Sequence, residues 1–445
     1  MENKKQSSCL KPFAVILIIA LVIYGINSGF FKRIFNPDSK EENKVKTNKY
    51  IDSYQGFIMD RSVHSYDSLS NNIQRKMYKQ FESCVGDITE EKSEEIYKTS
   101  SFELSGSDYS DDFWDKDLDT AYEAFYSDNP QVFWLCGYDF SIDKEKKVKT
   151  IWLKSRYDAD TVRRMKSDLN DDINKFYRSV PTNLTGYYLE KYVHDYLNSI
   201  CRYNKDIASV RGDNSSDEIR RKNPEIATAY GAIHNGDAVC NGYAQAFELL
   251  CKCVGLDCVY IVGGAGTNSM SWAESTLHAW NAVCLSGKWY MVDTTWDDND
   301  DPAIAYHYFN ITTHQLSEDH SAIRMKDGQI ILRGRENVFL PECTDSFYNY
   351  YVYDKDCVRV KNIKDNSIGQ AMINALNSGS KMLFMYLDPN YINYKSAKKL
   401  LFESGSSNYM NRYLKYVTDH SSYSYSNYTY WTLESRNAII LQLNY

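Results

Sequence analysis

From Ala238 to Trp296 the residues leave the chain little choice of local structure. Phe247, Leu250, Cys251 and Val254 recur on one helical face, and Gly255 ends the run. CVYIVGG follows as an apolar strand, then a glycine-rich loop, then LHAWNAVCL and KWYMVDTTW joined by Ser286-Gly287. A two-residue link ending in glycine between two strand-like runs reads as a tight β-hairpin.

Three side chains in this stretch have the chemistry of a nucleophilic site. Cys240 stands where the loop His234-Asn235-Gly236-Asp237 gives way to the helix. A thiol there meets the positive end of the helix dipole and free backbone N–H groups, which favour thiolate and can hold an oxyanion. His278 begins the first hairpin strand and Asp293 falls in the second. Counting back from the Ser286-Gly287 turn sets His278 opposite Thr295, with Asp293 on the same face one diagonal step away. A thiolate, a proton shuttle and an orienting carboxylate are what acyl transfer through a covalent intermediate requires. From spacing alone, a buried thiol beside strand residues that merely pack is an equally good reading.

Upstream, Ser70 is placed to cap a helix carrying Ile73, Met77, Phe81 and Val85, and a second helix spans Leu118 to Tyr126. QVFWLCGYDFSI and KVKTIWLKSRY form a hairpin around Asp143 to Lys146, followed by helices over Asp160 to Arg178 and Thr185 to Tyr203. Downstream, helical runs at Ile368 to Leu376, Lys395 to Phe402 and Asn408 to Val417 alternate with the strand-like KMLFMYL, YTYWTLES and NAIILQLNY. That alternation suggests a small α/β accessory domain.

At 445 residues the chain is long enough for two or three domains. With 51 Lys and Arg against 59 Asp and Glu, and no basic block beyond the N-terminal region, no nucleic-acid partner is expected. Eleven irregularly spaced cysteines, an odd number, exclude a simple disulfide scaffold.

No charged side chain occurs from Phe13 to Phe31, and PFAVILIIALVIYGINSGFF is long enough to approach a hydrocarbon core about 30 Å thick. Gly25-Ile26-Asn27-Ser28-Gly29 is a poor cleavage site, so an uncleaved single-pass signal-anchor is expected rather than a removed signal peptide. The expected organisation is a tail at 1–12, the membrane anchor at 13–31 and a linker at 32–49, with the bulk of the chain outside the cytoplasm.

HNGDAVCNGYAQAFELLCKCVGLDCVYIVG, LHAWNAVCLSGKWYMVDTTWDD and YHYFNITTHQLSEDH closely resemble the bacterial transglutaminase-like family, a branch of the papain-like cysteine enzymes. The likeness runs from about Tyr187 to His320. It implies an α+β fold, with a helix bearing the nucleophile packed on an antiparallel sheet at 181–322. An N-terminal α+β region at 50–180 and a C-terminal α/β domain at 323–445 flank it. It makes Cys240 the nucleophile, His278 the general base and acid, and Asp293 the orienting carboxylate. The implied activity is cleavage or acyl transfer at amide bonds of a cell-surface protein or wall peptide, without metal or organic cofactor. Protein crosslinking and a non-catalytic binding scaffold are the alternatives.

Other residues carry weaker signals. Cys251, Cys253 and Cys258 with His234 lack a usual zinc spacing and read as core thiols. His307, His314 and His320, spaced seven and six apart, read as structural or surface residues. Trp280, Trp289 and Trp296 suit a substrate groove or sheet packing equally well. Asp297, Asp298, Asp300 and Asp301 read as a solvated loop.

Overall fold

The computed structural model describes residues 63–109, 116–209, 223–266, 276–299, 303–322, 325–326, 329–330, 338–423 and 427–444. Asn48–Tyr445 forms one compact unit. Among its described residues, three four-stranded sheets are each faced by helices.

The first sheet orders Ile88–Ser93, Ile96–Ser105, Val148–Ser155 and Leu135–Asp143, all antiparallel. Its second hairpin is the one read around Asp143 to Lys146. Ile88–Ser93, ITEEKS, is exposed at all but its first two residues, so it carries no apolar alternation to betray a strand. The turn that makes it pair lies at Glu94 and Glu95, both with positive φ. Against this sheet packs Asn72–Cys84, which buries Met77, Tyr78, Phe81 and Cys84. Asn71 caps that helix through the Gln74 amide, while Ser70, the expected cap, bonds the Gln74 side chain instead.

The central sheet has the order His320–Ser321, Asp257–Ala265, Thr276–Leu285, Lys288–Val292 and is antiparallel throughout. Ser286 and Gly287 both take positive φ, and Leu285 pairs with Lys288 as the two-residue turn requires. On this sheet lies the helix Cys240–Cys253, closed past its end by Gly255 at φ +77°. From Gly242 to Cys253 every residue of it is buried, so the helix is enclosed rather than amphipathic. Its buried charges are paired: Lys252 Nζ lies 2.6 Å from Glu248 Oε1 and donates to the Asp128 carbonyl at 2.8 Å. Asn281 of the hairpin donates to the helix carbonyl of Ala244 at 2.9 Å, tying helix to sheet. Gly242 leaves no alternative side chain, because a Cβ there would stand 2.9 Å from the Ile226 carbonyl oxygen.

The third sheet pairs Cys357–Val360 parallel with Met382–Leu387, then continues antiparallel through Ala438–Asn444 to Asn427–Leu433. Helices Ser367–Asn377 and Tyr409–His420 bury Met372, Leu376, Tyr413 and Val417 with one of its faces. Residues Tyr386, Leu433 and Ile440 from this sheet join the apolar core that contains Tyr243, Phe247 and Leu250. The fold is thus α+β, with antiparallel sheets at its centre.

The membrane anchor, and with it the single-pass placement and membrane partner, is not supported. No helix among the described residues is long and apolar enough to cross a membrane. The longest, Ala159–Ser179, has 21 residues but buries only Val162, Met165, Leu169, Ile173 and Phe176 and is charged elsewhere. The apolar Cys240–Cys253 has 14 residues, about 21 Å at 1.5 Å each, short of a hydrocarbon core. Residues 13–31 themselves lie outside the described residues.

Candidate active site

Cys240 is the first residue of its helix, after Val239, which offers no side-chain cap. The Gly242 and Tyr243 N–H groups donate to the Val239 carbonyl at 2.9 and 3.2 Å, so a first-turn donor near the partly exposed thiol has to come from Cys240 or Asn241. The next residue is clamped: Asn241 donates to the Ala227 carbonyl at 2.5 Å, and the Tyr260 hydroxyl donates to its amide oxygen. A short parallel pairing of Arg202–Tyr203 with Asp237–Ala238 brings Tyr203 alongside. Burial, with the nearby Cys240 and Asp293 charges adding, pushes its phenol up to about 12.

His278 comes from the strand paired with Asp257–Ala265, opposite Gly263. Its Nε2 lies 2.6 Å from Asp293 Oδ2. Nδ1 is therefore the nitrogen left to face the thiol, with which His278 is hydrogen-bonded. Asp293 stands one residue past the strand Lys288–Val292 rather than inside it, as the N-cap of the turn Thr294–Asp297. Its Oδ1 accepts from the Thr295 and Trp296 amides at 2.9 and 3.1 Å. Leaving the strand at Val292 turns the backbone, but the carboxylate still reaches the imidazole, on the side the hairpin count assigned to it.

Electrostatics follow from these contacts. Burial raises the Cys240 thiol, but the His278 charge and hydrogen bonds from His278 and Ala279 outweigh it, leaving the thiol lowered. Burial lowers His278, yet the Asp293 and Cys240 charges reverse this and raise it to about 10. For Asp293, burial acts upward and is overcome by His278 and His320, so the carboxyl sits well below its usual range. All three shifts run in the direction that favours carboxylate, imidazolium and thiolate.

His320, read from the sequence as structural or surface, is a third member of this cluster. It is 1% exposed, and its Nε2 lies 3.0 Å from the same Asp293 Oδ2 that holds His278. Its Nδ1 lies 2.5 Å from Asp319 Oδ1. His278, Asp293 and His320 could as a set ligate a metal ion. The short contacts of both Nε2 atoms to Oδ2 already satisfy these groups as hydrogen bonds, so no ion is needed to explain the cluster. Nothing local in the sequence marks His320: it arrives through the edge strand that pairs with Gly264 and Ala265.

Of the three tryptophans, Trp280 and Trp296 pack against the imidazoles. Trp296 lies 4.4 Å from the His320 ring and 5.7 Å from His278, and Trp280 lies 5.3 Å from His320. Trp289 instead meets His64 and Phe339. Nor do the acidic residues that follow all form a solvated loop. Asp297 is 1% exposed, accepts from the Tyr308 amide at 2.8 Å and lies 3.3 Å from His194 Nε2. The Tyr243 hydroxyl donates to Asp298. Cys251, Cys253 and Cys258 are buried, with thiols raised by burial.

Residues 178–294 match the model of the Transglutaminase-like superfamily, a span that includes Cys240, His278 and Asp293. The chain thus carries a domain of that superfamily. Kyphoscoliosis peptidase of Mus musculus is 44% identical over 61 residues, covering 13% of this chain and 9% of that protein. The protein of the same name from Homo sapiens is 37% identical over 93 residues, covering 18% of this chain and 14% of that protein. The chain therefore spans between 9% and 14% of the length of these curated relatives. Among solved structures, one described as a TGase aligns at 15% identity and a TM-score of 0.25, over 38% of this chain and 47% of its own. A putative cysteine protease from Cytophaga hutchinsonii aligns at 11% identity and a TM-score of 0.21, over 47% and 69%.

Proposed function

We propose that the protein cleaves or transfers acyl groups at amide bonds of a protein or peptide through a thioester on Cys240. The observation that carries this reading is the placement of His278 between the Cys240 thiol and the Asp293 carboxylate, 2.6 Å from the latter.

In this reading the Cys240 thiolate attacks the amide carbonyl carbon, and the N–H groups of Cys240 and Asn241, at the start of the helix, receive the charge that develops on oxygen. His278 then gives its proton to the departing amine as the C–N bond breaks, leaving the thioester. Water, or a primary amine, next attacks the thioester carbon. The imidazole takes the proton of that nucleophile, the C–S bond breaks, and thiolate and imidazolium are restored. Asp293 holds the imidazole by Nε2 throughout and stabilises its charge. Peptidase is the description carried by the two curated relatives, which favours a peptide amide as substrate.

The test is fluorescein-labelled casein incubated with the full chain, with and without dansylcadaverine. Release of labelled peptides that is lost in Cys240→Ala supports hydrolysis, and Cys240-dependent entry of the dansyl amine into casein supports transfer. Activity that survives Cys240→Ala would refute the thiol mechanism. A folded protein whose Cys240 labels with iodoacetamide only above about pH 8, the behaviour of an unactivated thiol, would refute it too.

A further inference from the structure

We propose that His320 is a positioning residue for this thiol chemistry, holding Asp293 Oδ2 beside His278 so that the carboxylate keeps the catalytic imidazole in line with Cys240. The inference rests on the function proposed above and adds to it a residue beyond the matched span, which ends at residue 294.

The argument begins with the carboxylate. Asp293 Oδ1 accepts from two backbone amides at 2.9 and 3.1 Å, and Oδ2, the other end of the same rigid carboxylate, takes its contacts from side chains. Two imidazoles fix it: His278 Nε2 at 2.6 Å and His320 Nε2 at 3.0 Å. The two ring centres lie 5.2 Å apart, and both Nε2 atoms converge on the shared oxygen.

His320 can serve as an anchor only if it is itself held, and it is. Its other nitrogen faces Asp319 at 2.5 Å, and the second Asp319 oxygen accepts from the Tyr308 hydroxyl at 2.6 Å. Tyr308 lies under the Arg436 guanidinium, 5.7 Å from its ring centre, and the Arg436 Nε donates to the neighbouring His307 carbonyl at 2.9 Å. Trp280 and Trp296 wall the ring at 5.3 and 4.4 Å. The charged and titratable groups facing His320 are thus Asp319, Asp293, His278 and Tyr308, with Arg436 behind Tyr308.

Close approach of the backbone makes the arrangement possible. Ser321 pairs with Gly264, and a Cβ at Gly263 would stand 2.1 Å from the Ser321 carbonyl oxygen and 2.6 Å from the Trp280 ring. Only a glycine at 263 lets the edge strand sit near enough for His320 to reach across to Asp293.

A role confined to stability would leave the titration of the thiol unchanged in variants that fold. The test is iodoacetamide labelling of Cys240 in the full chain, read at that residue by mass spectrometry from pH 5 to 9. His320→Phe, His320→Gln and Asp319→Asn are compared with the unsubstituted protein. Glutamine sets an amide NH₂ where Nε2 stood, so it retains a donor to Asp293, whereas phenylalanine does not.

The expected result is that His320→Phe moves the labelling midpoint to higher pH and slows labelling at pH 6 by roughly tenfold, the scale of one charge-assisted hydrogen bond. His320→Gln restores most of the rate, and Asp319→Asn falls between the two. Should His320→Phe fail to fold, Asp319→Asn carries the comparison, since it leaves His320 in place. An unchanged pH profile in the folded variants, or a midpoint that moves down, would overturn the proposal while leaving the Cys240 mechanism intact. If the unsubstituted protein labels only above about pH 8, the thiolate reading itself fails and the role of His320 falls with it.

Discussion

Replacing Asp293 by asparagine separates the two jobs of that side chain. The variant keeps one oxygen, so it can still accept from the Thr295 and Trp296 amides and hold the turn Thr294–Asp297. What it loses is Oδ2, where an NH₂ group now faces two imidazole nitrogens that stand 2.6 and 3.0 Å away in the native site. A donor facing donors holds neither ring, and the charge that supported the His278 imidazolium is gone. Removing one partner of a buried ion pair costs about 3–5 kcal/mol, and here that falls on the thiolate and imidazolium state as well as on folding. For each unit the Cys240 thiol rises above pH 6, the thiolate fraction at pH 6 drops about tenfold. Greater nucleophilicity of the more basic thiolate returns about threefold, so a two-unit rise slows alkylation about tenfold. The assay is the iodoacetamide rate at Cys240 at pH 6, with circular dichroism to show that the variant is folded. A folded Asp293→Asn protein that labels as fast as the native one would refute the coupling of Asp293 to the thiol.

Two further outcomes follow from the same contacts. Gly263→Ala puts a Cβ against the Ser321 backbone, so the edge strand must move away. Its urea midpoint should fall, and Cys240 labelling at pH 6 should slow as in His320→Phe; native values for both would contradict the packing argument. The His278–Asp293 pair also fixes a pH window for stability. His278 is raised from 6.5 to about 10, so its contribution is complete below pH 6.5 and lost as pH rises through about 10. Asp293 is lowered from 3.8, so its contribution is complete above about pH 4 and lost on further acidification. The stability difference between native protein and His278→Ala, measured by urea unfolding, should therefore be widest between about pH 4 and pH 6.5, and a difference independent of pH would sink the ion-pair assignment.

Where apolar periodicity and turn chemistry agree, local structure was legible in the sequence. The runs around Ala159–Ser179, Cys240–Cys253 and Leu135–Ser155 carry strong period or clear turns. Ile88–Ser93 and Cys357–Val360 were passed over, the first because its exposed residues have no apolar pattern and the second because it has only four residues. The anchor expectation weighed the apolarity and length of residues 13–31, which lie outside the described residues, and no helix among the described ones is long and apolar enough to cross a membrane.

For the site, sequence determined the parts that depend on neighbours along the chain. A thiol at a helix start and a hairpin closed by Ser286-Gly287 are local facts, and pleat alternation then sets the face of His278, while Asp293 follows one residue past the strand. Tertiary structure decided the rest. Asp297 is buried because His194 and the Tyr308 amide come to it from distant segments, and no composition of an acidic run reveals that. His320 reaches Asp293 across 27 positions of chain because an edge strand pairs past Gly263. Periodicity reports only which way a side chain points from its own element. Which carboxylate it meets is set by how separate elements pack, and the final organisation of charge around Cys240 is settled there.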